Sequence, residues 1–84
     1  MSLESRISQA YSDKLNKLKK EVFLHASTKT IKELNTYFIS ESSGERNQYA
    51  IVGGNEVRVI IHDEIPFPYF SVSTDKKLIF SKKN

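Results

Sequence analysis

The chain has no cysteine and no tryptophan, and its 84 residues include only three glycines, two prolines and one methionine. Without cysteine there can be no disulfide framework, thiolate metal site or cysteine nucleophile, so stability has to come from packing or self-association. The same absence points to a reducing compartment. No apolar run approaches the roughly 20 residues that span a bilayer. The opening residues MSLESRISQAY alternate polar and apolar side chains and contain no signal-peptide core. The expectation is a cytoplasmic protein with no membrane partner. Neither glycine nor proline occurs before residue 44, so nothing interrupts an N-terminal helix.

What is present fits one small globular core. Hydrophobic residues make up 38% of the chain, and four tyrosines and five phenylalanines supply bulk that a disordered sequence would lack. A chain of this length buries only about 60–65% of its unfolded surface, which favours a single domain over residues 1–84.

Leu3, Ile7, Tyr11, Leu15, Leu18 and Val22 recur every three or four residues, the period of an amphipathic helix. The spacing predicts a helix over about 3–26, with Ser2 as its N-cap. Thr30 and Glu33 have the spacing of a capping box, which predicts a short helical turn over 31–35. Beyond Tyr37, β-branched and aromatic residues alternate with turn signals. These predict strands at about 36–42, 47–53, 56–63, 69–74 and 77–82. SSGER and GGNE supply glycine for tight connections. Val57, Val59 and Ile61 share one face of their strand, and Arg58, Ile60 and His62 share the other. The expected fold class is α+β: an N-terminal amphipathic helix packed on one face of a four- to five-stranded antiparallel β-meander.

Lysines crowd the segment KLNKLKKEVFLH. Lys14, Lys17, Lys19 and Lys20 flank the apolar stripe on both sides and do not converge on one ridge. Asp13 and Glu21 stand four residues either side of Lys17, so a hydrated face carrying weak ion pairs is expected there. Charge is strongly segregated. Residues 1–32 hold seven Lys/Arg against three Asp/Glu, residues 33–75 two against seven, and residues 76–84 four lysines and no acid. Such segregation suits docking of a protein partner, or of a second copy in a homodimer.

Motifs for chemistry are missing. No serine lies in a G-x-S-x-G context, and GGNE lacks the lysine and length of a phosphate-binding loop. His62, Asp63 and Glu64 are metal-ligand types, but neighbours on a strand point to opposite faces, and His25 stands far away in sequence. No catalytic residue, metal or cofactor is therefore assigned. Two prolines stiffen IPFPYF, so Phe67, Tyr69 and Phe70, with Arg58, are the candidate partner-binding residues. Tyr37 and Tyr49 are further aromatics available to a sheet surface.

The expected function is a small non-enzymatic protein-interaction module, a regulator, inhibitor or assembly factor acting through a mixed-charge surface. The alternative is a nucleic-acid-binding protein that places Lys14, Lys17, Lys20, Lys29, Lys76, Lys77, Lys82 and Lys83 on phosphates. That alternative turns on whether the two basic ends of the chain meet in space.

Overall fold

A computed structural model of the chain describes residues 2–77. Its elements are α1 (Leu3–Leu18), β1 (Phe23–Ser27), α2 (Thr28–Lys32), β2 (Tyr37–Ser42), β3 (Glu45–Val52), β4 (Asn55–His62) and β5 (Phe70–Ser73). The five strands form one sheet in the order β2-β3-β4-β1-β5. The fold class is α+β, as the sequence predicts.

Helix α1 starts as expected, with the Ser2 hydroxyl accepting from the Ser5 N–H at 3.1 Å. It stops earlier than the periodicity predicts. Lys19 adopts a left-handed conformation (φ 54°, ψ 38°) and its N–H closes the last turn on the Leu15 carbonyl at 2.8 Å. Strand β1 then takes the place of the helix expected up to residue 26. All five of its residues are buried. A short apolar run buried on both faces has no period to betray it, and Val22 happens to fit the helical stripe. The early stop also removes the Lys17–Glu21 pairing, and Asp13 accepts from Gln9 Nε2 at 2.9 Å in place of the expected Lys17 contact.

The short helix is shifted too. It runs over Thr28–Lys32 and its cap is Ser27, whose hydroxyl faces the Thr30 N–H, so Thr30 is not the cap and Glu33 ends the helix. The strands expected at 36–42, 47–53, 56–63 and 69–74 are present within a residue or two at most ends. Lys77 is not in a strand, and the rest of the segment expected at 77–82 lies outside the described residues.

Strands β2, β3 and β4 form the antiparallel meander. Ser43–Gly44 and Gly53–Gly54 close its two hairpins with positive φ at both positions, as tight primed turns require. β1 then inserts between β4 and β5, parallel to the first and antiparallel to the second. This one parallel pair departs from the all-antiparallel expectation. It also explains IPFPY: the segment has to carry the chain past β1, so it crosses over instead of making a hairpin. Ile65 is its buried anchor, while Pro66, Phe67 and Pro68 are exposed. The Tyr69 N–H ends the crossover on the hydroxyls of Ser27 (3.1 Å) and Thr30 (2.8 Å).

α1 covers one face of the sheet, here called the inner face. Ile7 is wholly buried against Leu24, Ala26, Ala50, Val52, Val57, Val59 and Val72. Leu3, Ala10, Tyr11 and Leu15 flank it, and Leu18 is left exposed at the helix end. Ile31 and Leu34 complete the same core. The apolar helical stripe is thus used up in covering the sheet.

Candidate functional site on the outer face of the sheet

Side chains alternate across a strand, so every residue next to an inner-face position points to the outer face. The register places Phe38, Tyr49, Arg58, Phe23 and Ser73 side by side, one from each of the five strands. Phe38 stacks on Tyr49, with centroids 5.6 Å apart and planes 24° apart. The Arg58 guanidinium carbon stands 5.8 Å from the Phe23 ring centroid, and Lys76 Nζ approaches the same ring at 5.9 Å. Both contacts are cation–π in character. Arg58 Nε is buried without a hydrogen-bond partner. The row therefore grades from a buried, cation-flanked phenylalanine at β1 to an open aromatic pair at β2 and β3.

One position along lies a part-buried pair of imidazoles. His25 on β1 is completely buried, and its Nδ1 is 2.8 Å from Nε2 of His62 on β4, with the rings 5.0 Å apart and 27° from parallel. On its other side, His25 Nε2 lies 2.8 Å from the Asp75 carbonyl and 3.3 Å from Ser73 Oγ. A carbonyl can only accept, so Nε2 carries the proton and Nδ1 is the acceptor. His62 Nε2 is then the donor to it. His62 Nδ1 faces the Glu64 carboxylate at 3.4 Å, an ion pair when His62 is protonated. Burial lowers the His25 pKa from its ordinary 6.5. The hydrogen bond to the Asp75 carbonyl opposes that shift, the charge of His62 adds to it, and the Asp75 carboxylate opposes it. With its proton committed to Asp75, His25 Nε2 cannot take one from Ser73, so the arrangement does not activate that hydroxyl. Among the described residues no group of three His, Cys, Asp or Glu side chains is placed to hold a metal ion.

The other notable surface is the β2 edge. β2 pairs only with β3, held there by Thr36 Oγ1 on the Ile51 carbonyl and by the Tyr37 hydroxyl on Gln48 Oε1. Its opposite edge has no partner among the described residues. Phe38 is 38% exposed on the outer face and Ile39 41% exposed on the inner one. The strand contains no proline or lysine, the usual guards of a free edge.

The structure divides the sequence-derived candidates. Phe67 is 47% exposed at the crossover. Tyr69 and Phe70 are half-buried beside the N-terminus of α1, where Arg6 lies over the Phe70 ring at 5.6 Å. Arg58 sits elsewhere, paired with Phe23 near the start of β1. These four do not form one site. Of the lysines, Lys14, Lys17 and Lys20 are exposed around the end of α1 and beyond it. Ser73 pairs with Phe23, so Lys76 and Lys77 lie at the end of the sheet where Lys19 and Lys20 lead into β1. Lys29, on α2, follows the other end of β1, and Lys82 and Lys83 lie outside the described residues.

Phe23, Phe38 and the pairing of His25 with His62 were missed. The available signal was FLHAS itself: read as a strand, it puts Phe23 and His25 on the face shared by Arg58 and His62. No protein-family model matches the chain, nor does any curated protein or solved structure. Among the described residues no helix is long and apolar enough to cross a membrane.

Proposed function

We propose that the protein is a small non-enzymatic interaction module that receives an extended segment of another protein along the free edge of β2. The observation carrying this reading is the edge itself, a strand with one row of backbone donors and acceptors unused among the described residues and an exposed apolar side chain on each face, Phe38 and Ile39. Strand addition takes its affinity from such backbone groups and its selectivity from alternate side chains. Tyr49 extends the apolar contact inward, and Glu41, the one charge within β2, favours a basic residue opposite it.

The test is amide chemical-shift mapping with a peptide of about eight residues alternating valine and lysine, long enough to lie along a typical strand. Shifts should concentrate at Tyr37–Ser42, and a peptide with prolines at alternate positions should give none. Shifts absent from β2 would defeat the reading.

A second reading, binding of nucleic acid, is favoured by one observation: Lys19, Lys20, Lys76 and Lys77 belong to the same end of the sheet. It requires binding to mixed-sequence DNA or RNA that weakens with salt, log K falling by about 0.7–0.9 per phosphate contact. No binding at low salt would eliminate it.

A further inference from the structure

The chain of polar contacts through the two histidines has a property the docking edge does not use. From one end it runs Glu64 carboxylate, His62, His25, Asp75 carbonyl. With one added proton, on His62 Nδ1, every link is satisfied: the His62 cation faces the Glu64 carboxylate at 3.4 Å as an ion pair and donates to His25 through Nε2, and His25 donates to the Asp75 carbonyl. A second proton has one place left, His25 Nδ1. It would set two N–H groups against each other across 2.8 Å, on two cations whose ring centres are 5.0 Å apart. The two rings cannot then both keep their positions.

The backbones cannot separate to relieve this. β1 and β4 are joined through five register pairs, which include His25 with Ile60 and Ser27 with His62. What can move is the cover over the outer side of β1: the His62 side chain at the end of β4, and the segment from Thr74 to Lys77 that follows β5. That segment is fastened by His25 Nε2 on the Asp75 carbonyl and by the Ser73 hydroxyl, which donates to the same carbonyl at 3.1 Å. Its Lys76 lies over Phe23.

The charged groups around the pair do not supply a substitute partner. Glu64 is engaged on the far nitrogen of His62, and Asp63 accepts from the Thr28 hydroxyl at 2.7 Å. The Asp75 carboxylate favours a charged His25, whereas Arg58 and Lys76 are cations on the same face. Ser71 and Ser73, from β5, are neutral.

We infer that the His25–His62 pair is an acid-operated latch, closed while it holds at most one added proton and opened by the second, which parts the rings and exposes the outer side of β1 with Phe23 and His25. The opening is a property of this chain alone. That it would widen the docking surface next to Tyr49 rests on the proposed function.

The experiment is a titration from about pH 8 to about pH 5, the range in which histidines change charge, monitored by NMR of the imidazole nitrogens, the Phe23 ring and the Asp75 amide, with the Ala50 and Val57 methyls as a record of the core. At the high end His25 should show the Nε2–H tautomer. On acidification the Phe23 and Asp75 signals should move together with protonation of His25 Nδ1, while the core methyls stay. In the transition region the open population should rise about tenfold per pH unit, as linkage to one extra proton demands. His62→Gln supplies the control, because its side-chain amide can present either a donor or an acceptor to His25 and does not titrate. In that variant the opening should move at least one pH unit lower, equivalent to about tenfold in the open population. Three results would each overturn the inference: an unmoved Phe23 ring in the parent, the same titration in His62→Gln, or collapse of the core methyl pattern together with the opening. Peptide binding is not read in this experiment, so its outcome is independent of the docking proposal.

Discussion

The two faces of the sheet are built from alternate residues of the same strands, yet they solve different problems. On the inner face Leu24, Ala26, Ala50, Val57, Val59 and Val72 are all buried and apolar, and α1 covers them. On the outer face, Phe23, His25, Arg58, His62, Tyr49 and Phe38 mix rings, cations and imidazoles, with burial decreasing from β1 toward β2. The apolar face needs only complementary volume, and it carries the fold. The mixed face buries polar groups at a cost that is offset where a specific partner is present, as for His25, and is not offset at Arg58 Nε.

Substitutions that strike one face and spare the other would sharpen this contrast. Leu24→Ala, at a wholly buried inner position, should cost about 2–5 kcal/mol in urea unfolding, through lost transfer energy and the cavity left behind. Gly53→Ala comes next. Gly53 has φ +58°, and a Cβ there would fall 2.2 Å from Ser8 Oγ on α1. A loss of about 1–2 kcal/mol is expected from the left-handed backbone alone, with the contact adding to it. A smaller effect concerns pH. The His25 pKa is lowered in the folded state, so its neutral form is the one folding favours. Stability is complete above the ordinary value of 6.5 and declines as pH falls below it, until native His25 also takes up a proton. Urea midpoints collected across that range should decrease toward acid, and His25→Gln should flatten the decline. The smallest effect belongs to Lys17→Gln on the exposed side of α1. A stability change beyond about 0.5 kcal/mol would show that this lysine is more than hydrated.

Much of the inner face was legible because periodicity records it. The stripe from Leu3 to Leu15, the Val57–Val59–Ile61 alternation and both glycine-marked hairpins are local patterns, each readable within a few residues. β1 was not legible. FLHAS is buried on both faces, so its alternation is hidden, and Val22 continues the helical spacing through the loop. Missing β1 hid most of the candidate site with it. His25 and His62 are 37 residues apart, and only the parallel pairing of β1 with β4 brings them together. Phe23 meets Arg58 by the same pairing. The β2 edge was readable as a strand, but its freedom follows from strand order, which hairpin patterns do not encode. The crossover drew attention through its prolines, yet Ile65 is the residue that anchors it.

The most direct test of the division between the faces is to measure Phe38→Ser for both stability and binding of the alternating valine–lysine peptide. Phe38 contributes a cross-strand stack on Tyr49 at an exposed edge, so unfolding free energy should fall by no more than about 1 kcal/mol. Peptide affinity should drop at least tenfold, or about 1.4 kcal/mol. A variant that loses several kcal/mol of stability and still binds the peptide as the parent does would contradict the account.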